Sequence, residues 1–258
     1  MHRTPVSGAD EERHGSVLDA DACREAADGC WAVVHAAGVT HARGRQRYFE
    51  TNVTGTRLIV QAAEAAGVER FLFLSSRAAV PSGGWYADSK LSAEQIVEHS
   101  AVDWRIVRLP EVFGAGGREG IDQLIASVRA GRRVLLPGRG ESRVCPLSLE
   151  DAVAASTAAL ASEGRGDARY VLSGECLTVR ELVTRCIALS SSTSTVTCVP
   201  WPLVQAAAVV GRLAGPVFPD QVARLQASKP TMSANVATDL GFSASALDDG
   251  LRAVLAEE

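Results

Sequence analysis

Short apolar runs alternate with stretches of helical periodicity through the first two thirds of the chain. Residues 31–37 (WAVVHAA) form an apolar run that ends in small side chains, which predicts a buried strand. Arg70–Ser76 (RFLFLSS) predicts a second strand ending in two hydroxyls, and residues 104–109 (WRIVRL) a third, stopped by Pro110. Between them, residues 52–66 and 86–99 carry the apolar spacing of helices. This alternation predicts βαβ units on a parallel sheet, an α/β fold. From Gly114 the pattern loosens. Residues 114–120 read as a loop, 121–130 as a short helix and 169–172 as a late strand. Residues 177–189 read as a helix and 190–195 as a Ser/Thr-rich linker. The last quarter reads as helical apart from a break at residues 239–242.

A length of 258 residues allows one domain, or one domain with a smaller lobe. The net charge of −4 and the scattered basic residues argue against nucleic acid or an anionic membrane as the partner. The first 20 residues are polar and charged, unlike a secretory signal. No apolar stretch approaches the ~20 residues of a membrane span. The nearest, residues 203–217, contains Gln205, Arg212 and two glycines and reads as an amphipathic or buried helix. The six cysteines lack a Cys-x-x-Cys or zinc-like spacing, so free thiols in a cytoplasmic protein are the expectation.

Ligands of parallel sheets bind beyond the carboxyl ends of the strands. Here those ends carry His35-Ala36-Ala37-Gly38, Ser75-Ser76 and Pro110-Glu111, and the helix with Tyr86 and Lys90 follows the second. Lysine occurs only at positions 90 and 229. A phenol ionises near pH ~10, and acting near neutrality requires about 4 kcal/mol of preferential phenolate stabilisation. One ammonium at ~4 Å in an effective dielectric of ~20 supplies about that much. Four residues apart on a helix, Tyr86 and Lys90 share a face. In this reading Tyr86 moves a proton, Lys90 lowers its pKa and Ser76 holds the reacting oxygen. The bland reading is a half-buried aromatic and a solvated lysine. The strand ends arranged in order upstream favour the site.

Several segments carry a family pattern. Gly15-Ser16-Val17-Leu18-Asp19 looks like G-D-L-x-D, and Val33-Val34-His35-Ala36-Ala37-Gly38 like V-V-x-H-x-A-A/G. Asn52-Val53-Thr54-Gly55-Thr56 matches N-V-x-G-T, and residues 86–94 (YADSKLSAE) match Y-x-x-S-K-x-x-x-E. Residues 108–114 resemble R-P-x-N-V-Y-G, residues 149–153 a later V-D-D stretch, and Leu240-Gly241-Phe242 resembles L-G-F/Y-x-P. Together they resemble the extended short-chain dehydrogenase/reductase superfamily, which includes nucleotide-sugar epimerases, dehydratases and hydroxysteroid-dehydrogenase-like reductases. The resemblance implies a Rossmann-like sheet domain, residues 1–113 plus 151–175. It also implies a smaller, mostly helical substrate lobe, residues 114–150 plus 176–258. It implies a catalytic Ser76, Tyr86 and Lys90, with Lys90 also bonding the nicotinamide ribose. Ala36, Ala37, Gly38 and Val39 would line NAD or NADP, with Asn52 in the supporting polar network and Pro110 by the nicotinamide. Arg3 would lie near the adenosine ribose and leans towards NADP. Arg143 aligns with a substrate-phosphate contact, and Glu111 stands where an asparagine often touches the substrate nucleotide. Related enzymes often dimerise, so a homodimer through the sheet-domain helices is a further expectation. The implied activity is hydride transfer on a secondary alcohol or ketone of a small molecule, alone or within epimerisation or dehydration.

The pattern breaks at the family's glycine-rich loop, G-x-x-G-x-x-G, which is absent. The glycines of residues 114–120 follow the wrong strand. An opening β-α-β unit of about 30 residues is missing. Two explanations stand: the chain begins too late, the favoured one, or the cofactor has been lost. The second would make the protein a cofactor-independent isomerase, lyase or cyclase that reuses the Tyr86–Lys90 pair. The family's first strand is central, so its deletion is expected to leave unpaired backbone beside an exposed apolar trough.

Overall fold

A computed structural model describes residues 12–162, 168–211 and 219–256. The chain enters through a short helix, α1 (Ala20–Ala27), whose Asp19 side chain caps it by accepting from Asp21 N and Ala22 N. Strand β1 (Ala32–His35) follows, then α2 (Arg45–Phe49), a π-helical turn (Glu50–Thr54) and α3 (Gly55–Ala65). Next come β2 (Arg70–Ser76), α4 (Trp85–Glu98) and β3 (Asp103–Leu109). A run of short elements then builds a lobe: β4 (Val112–Phe113), α5 (Ile121–Arg129), β5 (Val134–Pro137), β6 (Arg143–Val144) and β7 (Leu147–Ser148). Helix α6 (Leu149–Ala161) and strand β8 (Ala168–Val171) return to the sheet. The remainder is β9 (Leu177–Thr178), α7 (Val179–Ser190), β10 (Val196–Val199), α8 (Trp201–Gly211), α9 (Pro219–Gln226), α10 (Asn235–Leu240) and α11 (Leu247–Leu255).

The main sheet is parallel, in the order β1-β2-β3-β8. Its register sets Arg70 opposite Asp103 and Ser76 opposite Leu109, so the ends of β2 and β3 finish level. One face packs Phe71, Phe73 and Ile106 against α3 and α4; the other packs Leu72, Val107 and Tyr170 against α6. Each such side chain contributes roughly 1.5–3 kcal/mol by leaving water. The lobe has its own core, in which Phe113, Ile125 and Leu136 meet Leu182 and Leu251. Helix α7 starts at a capping box formed by Thr178 and Glu181.

Among the described residues β1 pairs with β2 alone, and Val34 in its middle is 50% exposed. A cavity of about 790 Å³ runs along this edge, lined by residues 14–18 and 32–38. No described helix is long and apolar enough to cross a membrane.

The structure corrects three expectations. The C-terminal quarter is less helical than its composition suggests: residues 227–234 are irregular between α9 and α10. There, buried charge pairs described below fix the backbone instead of helix periodicity. Leu177 and Thr178 form a strand, not the first turn of a helix, because Thr178 is the extended N-cap of α7. Finally, the cysteines are not all free. Strands β6 and β9 pair antiparallel, Val144 opposite Leu177, and this register brings Cys145 and Cys176 together in a disulfide. Their separation of 31 residues left no pattern to read.

Helix α4 is locked to the sheet by a buried carboxylate. Glu94 accepts two hydrogen bonds from Arg108, at 2.8 and 2.6 Å, and one from Ser75 Oγ. Arg108→Leu removes both guanidinium bonds from that buried charge and leaves it only Ser75 and the longer Arg169 pair, at 3.6 Å. Denaturant unfolding should show a loss of about 3–5 kcal/mol. Thiol titration of the denatured, unreduced chain should count four free cysteines, those at 23, 30, 186 and 198. A count of six would remove the disulfide.

Candidate active site

The carboxyl ends of β1, β2 and β3 meet the first turns of α4. That helix starts at Gly84, whose φ of 91° is left-handed. A Cβ there would stand 2.5 Å from Asp220 Oδ1, so glycine is required by close approach as well as by conformation. Gly84 supplies no capping side chain. The cap comes from elsewhere in the chain: Tyr86 N donates to Asp220 Oδ1 on α9, at 3.0 Å.

Tyr86 is buried, 9% exposed, and Ser76 at the end of β2 acts on its phenol. Ser76 Oγ also accepts from Ala78 N at 3.1 Å. Burial pushes the Tyr86 phenol up, while the neighbouring Ser76 hydroxyl and the Arg224 charge pull it down. Asp220 and Glu119 push it up further. Its ring meets Tyr48 edge-on, centroids 6.1 Å apart.

Lys90 follows Tyr86 by one turn of α4, with its ammonium on the sheet. Its Nζ donates to the Leu74 carbonyl at 2.8 Å and rests over the Phe73 ring, 4.1 Å from the centroid. Burial lowers its pKa to about 7, with Glu94 opposing. His35 stacks on Phe73 from the end of β1 and meets Thr56 Oγ1 through Nε2 at 2.9 Å. Burial, aided by the Lys90 charge, lowers its pKa to about 3 and keeps the ring neutral.

Asn52 ties three segments together from the π-helical turn. Its Oδ1 accepts from Val39 N at 2.7 Å. Its Nδ2 donates to the Val39 carbonyl at 3.1 Å and to Ser89 Oγ at 2.9 Å. The loop 36–39 is thereby held against α4. A Cβ on Gly38 would sit 3.3 Å from Asn52 Oδ1, so this position has no room for bulk.

Beyond β3, Pro110 leads into Glu111, which does not face open solvent. Arg77 Nη2 donates to Glu111 Oε2 at 2.8 Å, and Lys229 Nζ to Oε1 at 2.6 Å. Burial alone would raise the Glu111 carboxyl, but Lys229 and Arg77 outweigh it and hold it at about 2. The side chain fastens residues 227–234 to the sheet end. Arg143 lies on β6, exposed, and its Nη2 donates to the Cys176 carbonyl at 3.1 Å. With Arg77, Lys229 and the disulfide it lines a cavity of about 410 Å³. Arg3 lies outside the described residues.

The structure thus brings Ser76 and Tyr86 together, sets Lys90 and Asn52 below them, and holds Ala36, Ala37, Gly38 and Val39 alongside. Arg143 falls in the neighbouring cavity wall, and Glu111 is bound to two residues of that wall, Arg77 and Lys229. Sequence reasoning missed Asp220 and Arg224, whose i,i+4 spacing is ordinary on any helix. It also missed Lys229, although the scarcity of lysine that singles out Lys90 singles out Lys229 equally.

Lys90 carries a signed stability consequence. Its folded pKa of about 7 lies below its ordinary 10.5, so stability is complete above 10.5 and falls as pH drops towards 7. Lys90→Met escapes this loss. The variant should be more stable than the wild type by about 2 kcal/mol or more near pH ~6, and by less near pH ~9. Urea midpoints at the two pH values check both sign and trend.

The family model for the NAD dependent epimerase/dehydratase family matches residues 2–173. A 3 beta-hydroxysteroid dehydrogenase/Delta 5-->4-isomerase of Mycobacterium tuberculosis is 29% identical over 163 residues, 52% of this chain and 44% of the relative. A ceramide reductase of Caulobacter vibrioides is 38% identical over 132 residues, 50% of this chain and 40% of the relative. The chain spans less than half the length of these two curated relatives. The solved structure of MoeE5 with UDP-glucuronic acid and NAD superposes with a TM-score of 0.80 at 20% identity. That match covers 98% of this chain and 87% of the other and shows the shared fold.

Proposed function

The chain belongs to the NAD dependent epimerase/dehydratase family, and on that premise we propose that it serves hydride transfer on a secondary alcohol or ketone of an apolar, steroid- or sphingolipid-like molecule. The observation that carries this reading is the placement of buried Tyr86 in the first turn of α4 beside Ser76 at the carboxyl end of the sheet, with Lys90 one helical turn further on.

The residues present fit the nicotinamide–ribose end of such a cofactor. Ala36, Ala37 and Gly38 leave a cradle of small side chains against the cavity along β1. Thr51 lines the same cavity, and its Oγ1 is buried without a hydrogen-bond partner. Lys90 would hold the ribose, residues 36–39 would line the ring, and Pro110 would border it. When bound, the cofactor supplies a hydride donor or acceptor.

The chain's own side chains manage the proton. In the oxidative direction Tyr86 takes it from the substrate hydroxyl, and in the reductive direction returns it to the carbonyl oxygen. Ser76 holds that oxygen by hydrogen bonding. Asn52 and Ser89 keep the loop and helix at fixed spacing.

Two observations support an apolar substrate over a sugar nucleotide. The curated relatives reported above are named for steroid and ceramide chemistry. Glu111, standing where a nucleotide contact is common in the sugar enzymes, is taken up by Arg77 and Lys229.

The test follows reduced-nicotinamide absorbance with hydroxysteroids and long-chain ketones under both cofactors. The wild type should turn over, and Tyr86→Phe should be slower by about 10²–10⁴-fold. Equal rates for the two proteins would defeat the assignment.

A further inference from the structure

Helix α9 reaches over the tyrosine from a segment more than 130 residues away, and it brings its own charge pair. Arg224 places its guanidinium carbon 4.5 Å from the centroid of the Tyr86 ring. It is anchored twice through Nη2, to the Thr40 carbonyl at 3.1 Å and to Asp220 Oδ2 at 3.2 Å. The other oxygen of Asp220 accepts from Tyr86 N at 3.0 Å. One carboxylate therefore caps the helix that carries the tyrosine and aims a guanidinium at its ring.

We infer that Arg224, oriented by Asp220, is a positioning residue for Tyr86, and that the fixed positive charge acting on the phenol comes from α9 rather than from Lys90. This assignment rests on the reading of Tyr86 as the proton carrier. The geometry separates the two cations. Lys90 Nζ is committed to the Leu74 carbonyl and the Phe73 ring. Its pKa of about 7 makes it only partly charged at neutrality. A guanidinium stays protonated throughout the range in which a phenol is useful. It also stacks well on an aromatic face, where the ring quadrupole attracts a cation.

The other groups facing the ring complete the electrostatic setting. Ser76 comes from β2, Tyr48 from α2, Asp220 from α9 and Glu119 from the loop before α5, with Lys90 on the tyrosine's own helix. Ser76 and Arg224 favour the phenolate; burial, Asp220 and Glu119 oppose it. Because Asp220 serves both the cap and the guanidinium, displacement of α9 would uncap α4 and withdraw the cation in one movement.

The chain has three tyrosines, at positions 48, 86 and 170, so phenol ionisation can be followed directly. Carbon-13 labelling of the tyrosine ring and a pH titration of the full chain, with Tyr86→Phe to assign the signal, give the Tyr86 midpoint. Arg224→Gln should move that midpoint upward by about one pH unit. Arg224→Lys, which keeps a charge, should move it by less than half as much. An unmoved midpoint in Arg224→Gln would overturn the inference, as would equal shifts in the two variants, the mark of a merely structural role. Should the glutamine variant not fold, Arg224→Met keeps the aliphatic stem on the ring and makes the same comparison. The titration needs neither cofactor nor substrate. Failure of hydride transfer and failure of this charge assignment are therefore separate results.

Discussion

One buried carboxylate sets the spacing on which the site depends. Glu94 sits inside the protein, where an uncompensated charge would cost several kcal/mol. It is stabilised by a bidentate guanidinium from β3, a hydroxyl from β2 and a further ion pair to Arg169 at 3.6 Å. Glu94 and its two principal partners, Ser75 and Arg108, belong to α4, β2 and β3, the elements that carry Tyr86, Ser76 and the Pro110 turn. A parallel pair of strands can slide against a helix when only apolar contacts join them. A bidentate pair admits one geometry, so the helix that carries Tyr86 is held in one position against the strand that ends in Ser76.

Around this anchor, the buried cations are assigned to different tasks. Lys90 fills the interior between helix and sheet at the expense of its own charge. Arg224 is partly exposed at the surface of the site and lies over the Tyr86 ring. Arg77 and Lys229 neutralise Glu111 and close the irregular segment 227–234 onto the sheet end. A fully buried arginine or lysine is rare unless paired. Here the pairings join segments distant in the chain, and each one draws part of the C-terminal region over the carboxyl ends of the strands.

The lobe depends less on charge. Its own apolar core and the Cys145–Cys176 bond hold β6 against β9 beside the cavity lined by Arg77 and Arg143. Arg77 Nη1 donates to Cys145 Sγ at 3.1 Å, so the residue next to the candidate catalytic serine touches the wall of that cavity directly. Shape in this region follows from the short β pairs, which the loosened hydrophobic pattern after Gly114 could not announce.

What could be read from the chain was local. Runs such as Arg70–Ser76 and the periodicity of residues 86–99 need only the pleat of a strand or the 3.6-residue turn of a helix, and both elements formed within a residue or two of the expected bounds. The shared helix face of Tyr86 and Lys90 was legible for the same reason, as was the meeting of strand ends at one sheet edge. The direction of the Lys90 side chain was not, because an i,i+4 relation fixes the face and leaves the long stem free to find Leu74. Nor could spacing reveal that Asp220 caps a helix 134 residues earlier in the chain, that Glu111 is held by Lys229, or that Cys145 finds Cys176. Those contacts pair charges and thiols across elements packed only after the chain has closed. Their energies depend on burial and distance, which exist in the folded molecule and have no counterpart in residue order.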